Sequence, residues 1–251
     1  MTVSTEDHGA ARMIVWDRQS RRNAWDLETM TAIADAVEQA GAEEPVRCVF
    51  LRGAGEHFAA GDDLQAAIEA DSAAWAATIE GFQRLTRVVL AAPVPVVAVV
   101  DGVCVGGALE FAASCDMRLC TNRVRLLTPE VGIGLVASNA GTLLLPEVLG
   151  ETAARELLLS GEERDAAWAL QHGFATEMVG VDGLDTRIEH WTAVFTRTSR
   201  AAVAATKAML NERFGALLEQ AMERETYHCV RLFEEDDART ALAAFAARRA
   251  G

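Results

Sequence analysis

Two glutamates are the residues best placed to move protons. Glu110 lies three positions after Gly107, on the first turn of a segment, ALEFAASC, whose composition favours an apolar helix. Glu130 follows twenty positions later, between Pro129 and Val131 in LLTPEVGIGLV. A carboxylate in apolar surroundings loses hydration, so its pKa rises and acid–base work near neutral pH becomes possible. Two glycine-bearing loops offer complementary chemistry. Ala60-Gly61-Asp62-Asp63 follows one predicted strand and Gly106-Gly107-Ala108 another, and their small residues let backbone N–H groups approach a ligand. In the second loop the amides open a helix, whose dipole adds partial positive charge. Two such donors together stabilise an oxyanion. Each feature also has a plainer reading: a tight turn for either loop, a dipole-stabilised helix carboxylate for Glu110, a solvated loop residue for Glu130.

Alternating strands and helices must position these groups. Arg12 to Trp16 reads as a short strand, and from Trp25 to about Ala40 the apolar residues Leu27, Met30, Ile33, Ala34 and Val37 recur at helical spacing. Strands are expected over 46–52 and 94–100, the second β-branched, bounded by prolines and stopped at Asp101-Gly102. A helix is expected over about 72–90, a short strand over 124–127, and helices over about 140–149 and 152–159. This order implies an α/β chain with parallel pairing. From about Thr196 the pattern becomes wholly helical, so residues 1–195 are read as the core and 196–251 as a helical region packing on it or on another subunit.

Composition excludes several classes. The chain has 251 residues, 51% of them hydrophobic, which leaves the bulk of it unable to stay disordered. Its net charge of −14 repels phosphate backbones, so nucleic acid is not an expected partner, and no basic patch suggests a membrane surface. The apolar stretch 88–100 is too short to span a bilayer and holds Pro93 and Pro95. Five cysteines without CxxC spacing read as buried free thiols in a reducing compartment, and the chain is expected to be soluble and cytoplasmic. Asp62-Asp63 has no third ligand at metal-binding spacing, and neither glycine loop fits a dinucleotide or Walker pattern.

Six segments, in this order, resemble the enoyl-CoA hydratase/isomerase (crotonase) superfamily: RQSRRNAWD, HFAAGDDL, DGVCVGGALEFAASCDMRL, LLTPEVGIGL, LLLSGEERDAAWALQHGFATEMV and FEEDDARTALAAFAARR. The resemblance implies a spiral of ββα repeats followed by a C-terminal helical trimerisation region. It implies that the Asp62 and Gly107 amides form an oxyanion hole for a thioester oxygen, and that Glu110 and Glu130 share the water of an enoyl-CoA hydratase. Coenzyme A enters as part of the substrate, with no separate cofactor and no metal. Backbone at Ala24, Ala60 and Gly61 then contacts the pantetheine, and Arg21, Arg22, Arg248 and Arg249 are candidates for its phosphates. A homotrimer or homohexamer is implied, for which the tail's apolar residues Leu217, Leu218, Met222, Leu232, Phe233, Leu242 and Phe245 would serve; they would fit a monomer's core equally well.

The sequence departs from the family where the hydratases usually carry a Pro-Gly-(Ala/Gly)-Gly-Gly-Thr run. Ala137-Ser138-Asn139-Ala140-Gly141-Thr142 stands there, placing Ser138 and Asn139 at the water and acyl site. Trp25 replaces a commoner leucine, and Trp75 falls in the helix that often walls the acyl pocket. Isomerisation of a double bond, hydrolysis of a CoA thioester, and acyl-CoA binding without catalysis are the alternatives.

Overall fold

Side-chain alternation along the strands gives the main sheet two buried faces. Ile14, Trp16, Val49, Leu51, Val96, Ala98 and Val100 point into one apolar cluster. Their chain neighbours Met13, Cys48, Phe50, Val97 and Val99 point into another. A parallel sheet covered on both faces requires this near-continuous apolar sequence.

The computed structural model describes residues 2–250, with side chains as far as Phe245. In chain order its elements are β1 (Thr2–His8), β2 (Ala11–Asp17), α1 (Leu27–Ala42), β3 (Cys48–Gly53), α2 (Leu64–Glu69) and α3 (Ser72–Ala91). Next come β4 (Val96–Val100), β5 (Val103–Val105), α4 (Gly107–Ser114), β6 (Met117–Thr121) and β7 (Arg125–Leu127). A 3-10 turn (Glu130–Ile133), α5 (Gly141–Leu149), α6 (Glu151–Ser160), α7 (Ala166–Gln171), β8 (Glu177–Val179) and α8 (Leu184–Thr196) follow. The chain closes with α9 (Arg200–Glu212), α10 (Gly215–Phe233) and α11 (Asp236–Ala250).

The strands form a six-stranded sheet in the order β1-β2-β3-β4-β6-β8, with β5 and β7 as a separate parallel pair. The α/β reading holds, with one correction to the expected parallel pairing. β1 is antiparallel to β2, from Thr2 opposite Asp17 to His8 opposite Ala11. Its sequence, TVSTEDH, is almost wholly polar and exposed, so it carries no apolar alternation to announce a strand. The short β5, β6 and β8 also lie outside the strands expected from sequence, and the strand expected over 94–100 begins at Val96.

Side-chain caps start the helices that carry the site. Asp26 accepts from the Thr29 N–H (2.9 Å) at α1, and Asp71 from the Ala74 N–H (2.8 Å) at α3. Trp25, just ahead of α1, is fully buried among Trp16, Phe58, Phe82 and Phe111. The tail is helical as expected, but its apolar residues turn mostly inward. Met222, Phe233 and Leu242 are buried, Leu218, Leu232 and Phe245 are partly buried against the core, and Leu217 alone of that set is exposed. All five cysteines are buried and free. Among the described residues, no helix is long and apolar enough to cross a membrane.

Candidate active site

Main-chain hydrogen bonds fix the two glycine-bearing loops side by side. The Ala59 N–H donates to Val103 O (3.1 Å), and the Val105 N–H donates to Ala59 O (3.1 Å), tying the first loop to β5. On its other flank, Ala60 N–H reaches Arg22 O (3.0 Å), Trp25 N–H reaches Gly61 O (2.8 Å) and Asp63 N–H reaches Trp25 O (2.9 Å). The second loop is held where the Gly106 N–H meets Leu127 O (2.8 Å). Gly106 has a φ of +58°, which favours glycine, and a Cβ there would stand 2.7 Å from Glu130 Oε1 and push that carboxylate aside. Among the described residues, neither the Asp62 nor the Gly107 N–H donates to another residue.

A cavity of about 40 Å³ lies against these loops. Its polar side is Ala60, Gly61, Asp62, Gly106, Glu130 and Ser138. Its apolar side comes from Leu64, Trp75, Ile133 and Leu135 and from the C-terminal helices, through Cys229, Leu242 and Phe245. Trp75 stacks on Phe233, ring centroids 4.9 Å apart, which fastens α10 to α3 over the cavity.

Burial governs the charge of the two predicted glutamates. Glu110 is 1% exposed, and its Oε2 accepts from the N–H groups of Ser138 (3.3 Å), Asn139 (2.8 Å) and Gly141 (3.1 Å). Desolvation pushes its pKa well above the usual carboxylate range, reinforced by the nearby Glu225 and Glu130 and opposed by those amides. Glu130 is part-exposed as a residue, yet its Oε2 is buried and has no hydrogen-bond partner. Burial pushes its pKa up to about 8, with Asp62 and Glu225 adding to the rise. Asp62 likewise turns its Oδ1 into a buried position without a partner, and burial raises its carboxyl to about 7.

The candidates from sequence separate into three groups. Ala60, Gly61, Asp62, Glu130 and Ser138 surround the cavity, and the Gly106–Gly107 peptide adjoins it. Glu110 and Asn139 stand behind Ser138, linked through the 138–141 amides, and the Asn139 side chain is fully buried with neither polar atom partnered. Ala24, Arg21 and Arg22 lie on the turn strapped to Ala60 and Gly61. Arg21 and Arg22 are exposed and make no ion pair among the described residues, whereas Arg18 beside them is held by Asp63 (2.6 Å). Arg248 and Arg249 fall outside the residues whose side chains are described.

Sequence reasoning passed over Glu225. It is 4% exposed, and its Oε1 accepts from the Thr142 N–H (2.8 Å) and the Thr142 hydroxyl (2.5 Å). The signal available was positional: Met222, Glu225, Cys229 and Phe233 fall at three- and four-residue spacing, so the glutamate occupies the buried stripe of α10.

The family model for enoyl-CoA hydratase/isomerase matches residues 6–251. The chain is similar to a crotonyl-CoA hydratase of Syntrophomonas wolfei, with 28% identity over 93% of this chain and 90% of the relative. Among solved structures it is similar to an enoyl-CoA hydratase/isomerase of Xanthobacter autotrophicus, with a TM-score of 0.84, 30% identity and coverage of 98% and 97% of the two chains. An enoyl-CoA hydratase of Mycobacterium avium subsp. paratuberculosis superposes with a TM-score of 0.88 at 26% identity, covering 98% of this chain and 96% of that one.

Proposed function

This chain belongs to the enoyl-CoA hydratase/isomerase family, and from that premise we propose that it hydrates 2-enoyl-CoA thioesters to 3-hydroxyacyl-CoA. Conjugation lets negative charge move from C2 onto the thioester oxygen as water oxygen bonds to C3. The Asp62 and Gly107 amides would receive that charge; losing one such donor costs about 3 kcal/mol. Glu110 orients the water and takes its proton, while Glu130 gives a proton to C2. Exchange of one proton between the two carboxylates then restores the starting state, with one water consumed.

The observation that carries this reading is the unequal hydrogen bonding of two glutamates, Glu130 lining the cavity and Glu110 buried behind Ser138. Three amides favour a charged Glu110, whereas the partnerless Oε2 of Glu130 favours the neutral acid. Burial first, then Glu225 and then Glu130, raise Glu110 well above the usual carboxylate range against those amides, which makes it a strong proton acceptor once ionised. A protonated Glu130 removes the smallest of the three contributions.

A second reading, double-bond isomerisation, draws support from Glu130 lining the cavity while Glu110 stands behind it. Isomerisation needs a single proton shuttle, which Glu130 alone supplies. Loss of enoyl absorbance from crotonyl-CoA separates the two readings. Hydration predicts rapid loss in wild type and a fall on the order of a thousandfold in both Glu110→Gln and Glu130→Gln. Isomerisation predicts turnover of a 3-enoyl-CoA that survives Glu110→Gln.

The CoA moiety is assigned to the turn that carries Ala24 and to the Ala60–Gly61 backbone, with Arg21 and Arg22 facing its phosphates. Assembly is assigned to a homotrimer, or a hexamer of two trimers, formed through the C-terminal helices. Met209 on α9 and Leu217 and Tyr227 on α10 are more than half exposed on this chain alone, which supports that assignment. Sedimentation equilibrium checks it, and a monomer would reject it.

A further inference from the structure

Glu225 is a buried carboxylate that the proposed chemistry leaves unused. It reaches the start of α5 from α10, taking both the N–H and the hydroxyl of Thr142 on one oxygen. Glu110 reaches the same turn from α4, through the N–H groups of Ser138, Asn139 and Gly141. No slack exists at this turn, since a Cβ on Gly141 would stand 2.5 Å from Glu110 Oε2. Residues 138–142 therefore hang between two carboxylates, one from the core and one from the C-terminal helices.

We propose that Glu225 is a positioning residue for Glu110: by holding the first residues of α5, it ties the C-terminal helices to the carboxylate that activates water. The proposal rests on the acid–base reading of Glu110 given above. The groups around Glu225 support it. Glu110 on α4 and Glu130 in the 3-10 turn are the acidic neighbours, and both are pushed up by the charge on Glu225. Cys229, one turn along α10, is a neutral thiol with its pKa raised to about 12. From α3, Gln83 Nε2 donates to Ser138 O (2.9 Å) and to the Thr226 hydroxyl (2.8 Å), bracing the same turn without charge. Burial raises the pKa of Glu225 itself, opposed by the Thr142 hydroxyl and N–H and the neighbouring amides of the same turn. These donors, which the turn supplies, are what favour its charged form.

Removing that charge while keeping the acceptor should lower the proton affinity of Glu110. The experiment is a pH titration of the side-chain carboxyls by carbon-13 NMR, on protein labelled in glutamate, with Glu110→Gln used for assignment. In Glu225→Gln the Glu110 midpoint is expected to fall by about one pH unit, roughly tenfold in proton affinity. Thr142→Val guards against a Glu225 variant that fails to fold. It removes one donor from the Glu225 anion, raises that group's proton affinity, and so lowers the Glu110 midpoint in the same direction. A Glu110 midpoint unchanged in the folded variants overturns the proposal. The pH–rate profile with crotonyl-CoA separates this failure from failure of the hydratase reading. Turnover with an unmoved titration rejects the role of Glu225 alone. A moved titration without turnover on any enoyl-CoA keeps that role and rejects hydration.

Discussion

The two sides of the cavity are built from different materials. On the polar side, backbone does the work: the 59–63, 106–107 and 138–142 segments are held by main-chain bonds or by buried carboxylates. On the other side, α3, α10 and α11 face the cavity with apolar side chains, Trp75, Leu242 and Cys229 with Phe233 behind. The hydrogen bonds between α3 and α10, such as Gln83 to Thr226 and Arg87 to Glu219, come from residues outside the cavity lining. A backbone wall fixes amide directions to within a hydrogen bond's tolerance, which charge stabilisation requires. An apolar wall is non-directional, so it can change shape with modest loss. The chemistry is therefore expected to fail sharply when the first wall is altered, and substrate range to shift gradually when the second is.

Gly141→Ala strikes the first wall hardest. Its Cβ must displace Glu110 Oε2, and a shift of that carboxylate is expected to cost about a hundredfold in kcat with little change in KM. Steady-state kinetics on crotonyl-CoA checks it, and wild-type kcat would show that Glu110 tolerates the displacement.

The pH profile sharpens the same contrast. In the proposed hydration Glu130 must be protonated to deliver its proton, and its pKa is pushed up to about 8. That form is complete at lower pH and is lost as pH rises through this value, so kcat/KM is expected to fall above about pH 8. As the proposed proton donor, Glu130 is the group whose loss of a proton in the free enzyme, which kcat/KM reports, ends activity at high pH. A profile flat to higher pH would show that Glu130 is not the donor.

Leu242→Ala tests the apolar wall. Leu242 is 3% exposed, and its truncation is expected to cost about 2 kcal/mol of stability, read as a lower Tm. The room it opens should lower KM for longer 2-enoyl-CoA substrates while leaving crotonyl-CoA turnover within a few-fold. A hundredfold loss on crotonyl-CoA would mean that both walls serve the chemistry.

Arg22→Ala should be the mildest change. An exposed arginine facing a phosphate is worth up to about 1 kcal/mol, so KM is expected to rise by about fivefold or less, and less at high salt. An unchanged KM at low salt would place the phosphates elsewhere.

Much of the first wall is legible in the amino-acid order. Glu110 stands out because a charged residue interrupts an otherwise apolar helix, and Glu130 because it sits in a loop of Leu, Val and Ile. The long helices follow from local rules as well, since α1 and α3 carry aspartate caps and apolar faces at helical spacing. Less of the second wall is legible. Phe233 and Leu242 read equally as core or as subunit contact, because an apolar stripe states that it will be covered without stating by what. Glu225 escapes notice because Glu219 and Glu223 precede it in the same charged helix.

The α/β order, the family, the two glutamates and the two glycine-bearing loops are properties of contiguous segments, and the sequence suffices to determine them. Tertiary structure alone decided that polar β1 joins the sheet as an antiparallel edge, that α10 and α11 close over the cavity, and that Glu225 shares a turn with Glu110. Those outcomes depend on contacts between residues distant in the chain, and desolvation is set by what surrounds a group in space. Glu225 lies 115 positions from Glu110, so their mutual repulsion, and the amides that offset it, exist only once the chain has folded.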